Sequence, residues 1–170
     1  MNKVISFIII ALLMLCDTQA KANTLSYNYS SVTSVPINLS IVNKISTKDG
    51  VLEGQQIHFK VREDVVYNGK TVVKAGDIVS AKVETVITSG MNGFPAEIIV
   101  DDFKIPNVKE SQIMGNYVKV GQNRCLIVYP LKWALTIIPF VGSLTNFIYG
   151  GHAIIKPKDK VVIYYYPEWK

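Results

Sequence analysis

Between Lys132 and His152 the chain runs for 19 residues, Trp133 to Gly151, without one charged side chain. A run of that kind has two homes, the hydrocarbon of a bilayer or the face of the protein's own sheet. As a single helix it would measure about 28 Å, near the thickness of a bilayer core. The lysines after His152 would then obey the positive-inside tendency. Its interruptions argue the other way. Pro139 and Gly142 break the middle, Asn146 adds an amide, and the length barely suffices even for a continuous span. Pro130 and Pro139 instead suit the first turns of two short helices, and Gly150-Gly151 suits a helix end. In the second helix Phe140, Val141, Leu144, Phe147 and Ile148 share one face, with Ser143 and Asn146 off it. The favoured expectation is one or two short helices near 131–149 laid across a sheet, ahead of a membrane-contacting hairpin or a full span.

The sheet is written in the segments before that run. Ile37, Leu39 and Ile41 alternate with Asn38, Ser40 and Val42, and Ile57, Phe59 and Val61 alternate with His58, Lys60 and Arg62, the period of half-buried strands. Val65-Val66-Tyr67 meets Asn68-Gly69, a hairpin signal because both central residues of a type I′ turn need positive φ. Thr71 to Lys74 returns, Ala75-Gly76-Asp77 reverses the chain, and Ile78 to Thr88 is a long strand. After the glycine-bearing loop Ser89 to Gly93, further strands are expected over Phe94 to Ile105, Tyr117 to Val120 and Arg124 to Tyr129. Asp101-Asp102 falls near the end of the first of these. The expectation is a mainly β protein, a single barrel or sandwich of about 7–10 strands.

The chain of 170 residues has room for one domain of ordinary size. With 49% hydrophobic and 18% charged residues it is not composed for disorder. Residues 1–22 read as a secretory signal peptide, with Lys3 as the positive n-region, Val4 to Cys16 as the apolar core and Ala20-Lys21-Ala22 as the cleavage pattern. Leu15 before Cys16 does not fit a lipobox. Residues 23–35, rich in Ser, Asn, Thr and Tyr, read as a flexible leader, leaving 36–170 as a single β-rich domain. Removing Lys3, Lys21 and Asp17 from 18 basic and 13 acidic residues leaves 16 and 12, a net charge of +4. So mild and scattered a charge favours loose attraction to anionic lipid or glycan over a nucleic-acid surface, and no nucleic-acid partner is expected. Cleavage also leaves Cys125 as the lone cysteine, so no internal disulfide can form. Its apolar neighbours make it a small buried hydrophobe.

Tyr67-Asn68-Gly69-Lys70-Thr71-Val72-Val73-Lys74-Ala75-Gly76-Asp77-Ile78-Val79 is echoed 82 positions later from Tyr149 to Val161. The turn glycine, the paired β-branched residues, Lys74 with Lys156, and Asp77 with Asp159 coincide. The echo makes Ile78 onward and Val161 onward equivalent strands of one domain, on the same side of any membrane. The pattern Val72 to Val83 followed by the glycine loop resembles exported bacterial β-domain proteins of unassigned function. It is distantly similar to the β-barrel domains of cell-envelope secretion-channel proteins. The resemblance implies a location in the bacterial periplasm or cell envelope and carries over no catalytic residue.

No nucleophile motif, metal-ligand spacing or phosphate loop is present in the sequence. His58 is expected on an outer strand face and His152 beside a turn, neither as a ligand. The expectation is therefore a non-catalytic exported envelope protein without a cofactor, binding another envelope protein, glycan or anionic lipid. The alternative is an accessory subunit of a membrane-bound assembly, inserting residues 133–149 into the bilayer. Trp133, Tyr164, Tyr166 and Trp169, with Lys156 and Lys158, form the candidate ligand or partner surface. Against that stands the plainer reading that alternate tyrosines of a last strand cover the core.

Overall fold

The computed structural model of the chain describes residues 33–135 and 141–167, which belong to one compact unit, Val32–Lys170. The expected leader, most of the 23–35 segment, Pro139, Phe140 and Trp169 lie outside the described residues. The chain is mainly β, as the alternation predicts, and its principal element is a seven-stranded antiparallel sheet curled into a half-barrel. The order is β8 (Ile113–Met114), β11 (Val161–Tyr165), β1 (Val35–Ile41), β3 (Gln56–Val61), β6 (Ile78–Ile87), β7 (Glu97–Lys104) and β9 (Tyr117–Val120). Two ribbons flank it: β4 (Val65–Tyr67) with β5 (Lys70–Val73), and β2 (Ile45–Ser46) with β10 (Ile154–Ile155).

Period two explains which face is inside. In β3 Ile57, Phe59 and Val61 are buried while Gln56, His58 and Lys60 are exposed. Phe59 meets Phe103 of β7 across the core, with ring centroids 5.5 Å apart. The register of β6 with β7 shifts twice, between Ser80 and Lys82 and between Val83 and Thr85. At the first shift Asp102 adopts φ 55, so Asp101 and Asp102 both face solvent before the alternation resumes at buried Phe103. An extra residue of this kind increases local twist, which bends a flat ladder into a curl. These two aspartates, near the end of β7 as expected, thus mark a bulge in it.

The two edges of the sheet belong to one bent segment. β8 pairs with β11 and β9 pairs with β7, yet only Gly115 and Asn116 separate β8 from β9. Gly115 crosses there at φ 145 against Ile163, whose Cα would lie 3.2 Å from an added Cβ. Between β9 and the start of β11 no ladder forms. Lys119 Nζ spans that seam to Asp159 Oδ2 at 2.8 Å. The hydrogen bond from Lys119 holds the Asp159 carboxyl below its ordinary range, and the same bond raises Lys119. Burial raises the phenol of neighbouring Tyr117.

The internal echo divides in two. In its second half it is a structural repeat: Asp77 Oδ2 accepts from the Lys74 N–H at 3.0 Å, and Asp159 Oδ2 accepts from the Lys156 N–H at 3.1 Å. The backbone bonds Asp77 N–H to Lys74 O and Asp159 N–H to Lys156 O close both turns, at 3.1 and 2.9 Å. They feed β6 and β11, which lie in the same sheet on either side of the β1 and β3 pair. The first halves differ. Asn68 and Gly69 form a tight hairpin tip at φ 49 and 73, whereas Gly150 and Gly151 make no hairpin and wedge between other segments.

The apolar run departs most from expectation. Arg124 to Tyr129 is no strand; Cys125–Leu135 is helix α1, and Val141–Leu144 is helix α2, followed by a 3-10 turn, Thr145–Phe147. Asn123 Oδ1 accepts from the Cys125 N–H at 2.8 Å, a cap that starts α1 five residues ahead of Pro130. Pro130 therefore lies within the helix rather than in its first turn, and withholds the donor that the Leu126 carbonyl would take. Cys125 is half-buried in the first turn of α1, not a buried strand residue. Two short helices do occur, but of the face expected to lie on the sheet Leu144 and Phe147 are exposed, while Thr145 is buried and its hydroxyl donates to Gly142 O at 2.7 Å. Among the described residues no helix is long and apolar enough to cross a membrane.

Candidate functional site

Helix α1 is turned inside out. Its inward stripe is Cys125, Val128, Lys132 and Leu135, spaced three, four and three residues apart as one helical face requires. Val128 is fully buried, and the charged Lys132 lies on the same face, donating to Asn146 Oδ1 at 2.8 Å. The rest of the circumference carries Leu126, Ile127, Tyr129, Pro130, Leu131, Trp133 and Ala134, all exposed and none charged. Leu126 is 85% and Trp133 78% exposed. A helix on a soluble domain places its apolar stripe inward and its lysines outward. Here the polar pair is inside and the hydrocarbon outside.

Neighbouring segments extend the surface. The loop 88–95, with its 3-10 turn Met91–Gly93, packs against α1 and against Thr145–Phe147, and contributes exposed Met91 and Phe94. Leu144, Phe147 and Tyr149 add to it from the other side, Phe147 at 64% exposure. From Thr88 to Ala96 and from Gly121 to Gly151 the sequence contains no Asp or Glu and two cations, Arg124 and Lys132. The corner is thus apolar, free of negative charge and slightly positive.

Its base is fixed to the barrel by backbone. Gly93 N–H donates to Ile148 O at 2.8 Å, Arg124 N–H to Gly93 O at 3.0 Å, Gly151 N–H to Gln122 O at 2.8 Å and Ala96 N–H to Gly151 O at 3.0 Å. The Arg124 guanidinium adds a bond to Tyr149 O at 3.3 Å. Glycine is required where these chains touch. A Cβ on Gly150 would lie 2.0 Å from Phe94 O, and one on Gly121 2.2 Å from Gly151 O. The corner is a rigid projection and not a fraying loop.

The residues singled out from sequence do not gather into one site. Trp133 belongs to the corner. Tyr164 and Tyr166 lie at the end of β11 away from the β10–β11 turn, where Tyr166 N–H donates to Gln112 O at 2.8 Å. Tyr165 is buried and Tyr164 exposed, the alternation of an ordinary strand. Lys156 and Lys158 are exposed in the turn before β11, where the Lys156 backbone serves Asp159. Leu126, Ile127, Met91 and Phe94 were not singled out from sequence. A signal for the first two was present in Asn123 ahead of an apolar run, the mark of a helix start.

Elsewhere the surface holds open polar grooves. One, of about 530 Å³, is lined by Gly54, Lys82, Val83, Glu84, Asp101 and Asp102. Nearby Lys104 pairs with Glu110 at 3.0 Å and Asp102 at 3.7 Å, so part of the charge is internally matched. His58 and His152 are exposed, and His152 Nδ1 lies 3.5 Å from Thr47 Oγ1. Among the described residues no three His, Cys, Asp or Glu side chains are placed to hold a metal ion. Comparison with known proteins gives no match to a family model, a curated protein or a solved structure.

Proposed function

We propose that this chain is an exported, non-catalytic component of a bacterial cell envelope that works by docking its apolar corner onto another envelope component. The observation that carries the reading is α1, whose outward face is hydrocarbon and whose inward face holds Lys132 with Asn146. Leaving Leu126, Ile127 and Trp133 in water forfeits the burial free energy each would gain, about 1.5–3 kcal/mol for a large apolar side chain. A contiguous exposed apolar patch on a rigid base is the mark of an interaction surface. The signal peptide read at 1–22 and the resemblance of Val72 to Val83 support the location. The half-barrel serves as the frame that presents the corner.

Fractionation tests the reading. The wild-type chain is expected in the envelope fraction, and the triple variant L126S/I127S/W133S in the soluble exported fraction. All three side chains are exposed, so the folded barrel should persist, as circular dichroism would show. An unchanged distribution of the folded triple variant would refute docking through the corner.

A further inference from the structure

We infer that the occupant of the corner is an anionic lipid leaflet, entered to the interface and not crossed. This rests on the docking reading above and commits it to one class of partner. Charge is the first argument. A protein partner complementary to a basic apolar patch is one solution, but the corner has no acid across Thr88–Ala96 and Gly121–Gly151, and its cations Arg124 and Lys132 are both on or beside α1. An acid-free apolar surface with Arg124 exposed at its edge meets no repulsion from phosphate headgroups.

Polarity by depth is the second. The outward face of α1 combines Leu126, Ile127 and Leu131 with Tyr129 and Trp133, and Tyr149 lies near its base. Aliphatic side chains seek the acyl boundary, while tyrosine and tryptophan seek the headgroup level with one end apolar and the other wet. These apolar side chains stand outward into solvent on α1.

Length and backbone set the depth. The 11 described residues of α1 span about 16 Å, half of a bilayer core. Pro130 is exposed on the outward side and leaves the Leu126 carbonyl without its regular helical donor. That carbonyl is costly in hydrocarbon and costs little at the headgroup level, where water reaches. The seat is therefore interfacial.

Vesicle co-sedimentation of the full mature chain tests this. The probes are vesicles of phosphatidylglycerol with phosphatidylethanolamine, and of phosphatidylcholine alone. The W169F variant leaves Trp133 as the only tryptophan, so its emission reports the corner directly. Binding to the anionic vesicles with a blue shift of Trp133 is expected. L126S/I127S should weaken it on the order of 30-fold, since apolar burial drives interfacial binding. Arg124→Gln should reduce the preference for anionic over neutral vesicles by a few-fold. A chain that ignores both vesicle types refutes the lipid assignment. If L126S/I127S/W133S still leaves the envelope fraction in that case, the corner docks on a protein and only the lipid assignment falls; if it stays, both readings fall. Emission of Trp133 unshifted in a sedimenting complex also refutes the inference, because another surface then holds the vesicle.

Discussion

Gly150→Ala should disturb this molecule strongly, because Gly150 is buried where two segments touch. Gly150 is not among the glycines at positive φ, so alanine can adopt its backbone and the penalty is packing alone. The added Cβ would lie 2.0 Å from Phe94 O and 2.3 Å from Phe94 C, where ordinary contact begins at 3.4 Å. Phe94 must retreat by more than 1 Å, roughly the difference between those distances, and overpacking of this kind costs about 1–3 kcal/mol. Retreat stretches the bonds Gly90 N–H to Phe94 O at 2.9 Å and Gly150 N–H to Gly90 O at 3.2 Å. At about 1 kcal/mol each these bring the total to about 3–5 kcal/mol. For a chain of this size that is a fall in Tm of roughly 10–15 °C. Gly69→Ala is the control. Nothing lies within 4 Å of its Cβ, and it pays only for φ +73, about 1–2 kcal/mol. Thermal melts and amide exchange at Gly93 and Gly151 provide the readout. A G150A chain melting within a few degrees of wild type, with both amides still protected, would show that these glycines do not fasten the corner.

Asp159→Ala should cost about 1 kcal/mol more than Asp77→Ala at neutral pH, because both lose a turn bond but only the first loses Lys119, whose side chain is 31% exposed. The Asp159 carboxyl is held below its ordinary 3.8, so this extra stability is present above that value and lost as pH falls through the lowered one. Lys119 is raised above 10.5, so the same contribution also fades as pH rises past its elevated value. Urea midpoints of the two variants across pH check both signs, and a constant difference down to about pH 2 would contradict them. Asn92 carries a buried Oδ1 with no hydrogen-bond partner and sits at φ 57 in the loop beneath α1. Asn92→Gly removes both penalties and should raise stability by about 1 kcal/mol after the loss of chain entropy in the unfolded state. A lower Tm would mean that the amide is satisfied.

Much of the sheet was legible because one face of each strand is buried. Ile57, Phe59 and Val61 could be paired only with a core, and Asn68-Gly69 only with a hairpin. The Lys74–Asp77 and Lys156–Asp159 words survived as turns because the chemistry is local, a carboxylate accepting from the N–H three residues back. Gly150-Gly151 misled because glycine serves two ends: it permits a turn, and it permits backbone to approach backbone. Only the position of Phe94, fifty-six residues earlier in the chain, decides between them, and that is not a local property.

The failure at α1 has a different cause, and it coincides with the candidate site. Sequence patterns are read on the premise that apolar side chains face the core. Cys125, Val128, Lys132 and Leu135 form a narrow inward stripe containing a charge, so no apolar moment points to the sheet and the segment reads as a strand or a span. Its inward lysine is affordable because Asn146 receives it; its outward leucine, isoleucine and tryptophan gain nothing from the fold. Local choices that disagree with the rest of a fold mark the places where something other than folding set the sequence. A surface that water disfavours, on a base fastened by close glycine contacts, would gain free energy by burial against a second apolar surface. The same feature that hid α1 from the sequence reading, hydrocarbon outside and a lysine inside, is the one on which the proposed docking rests.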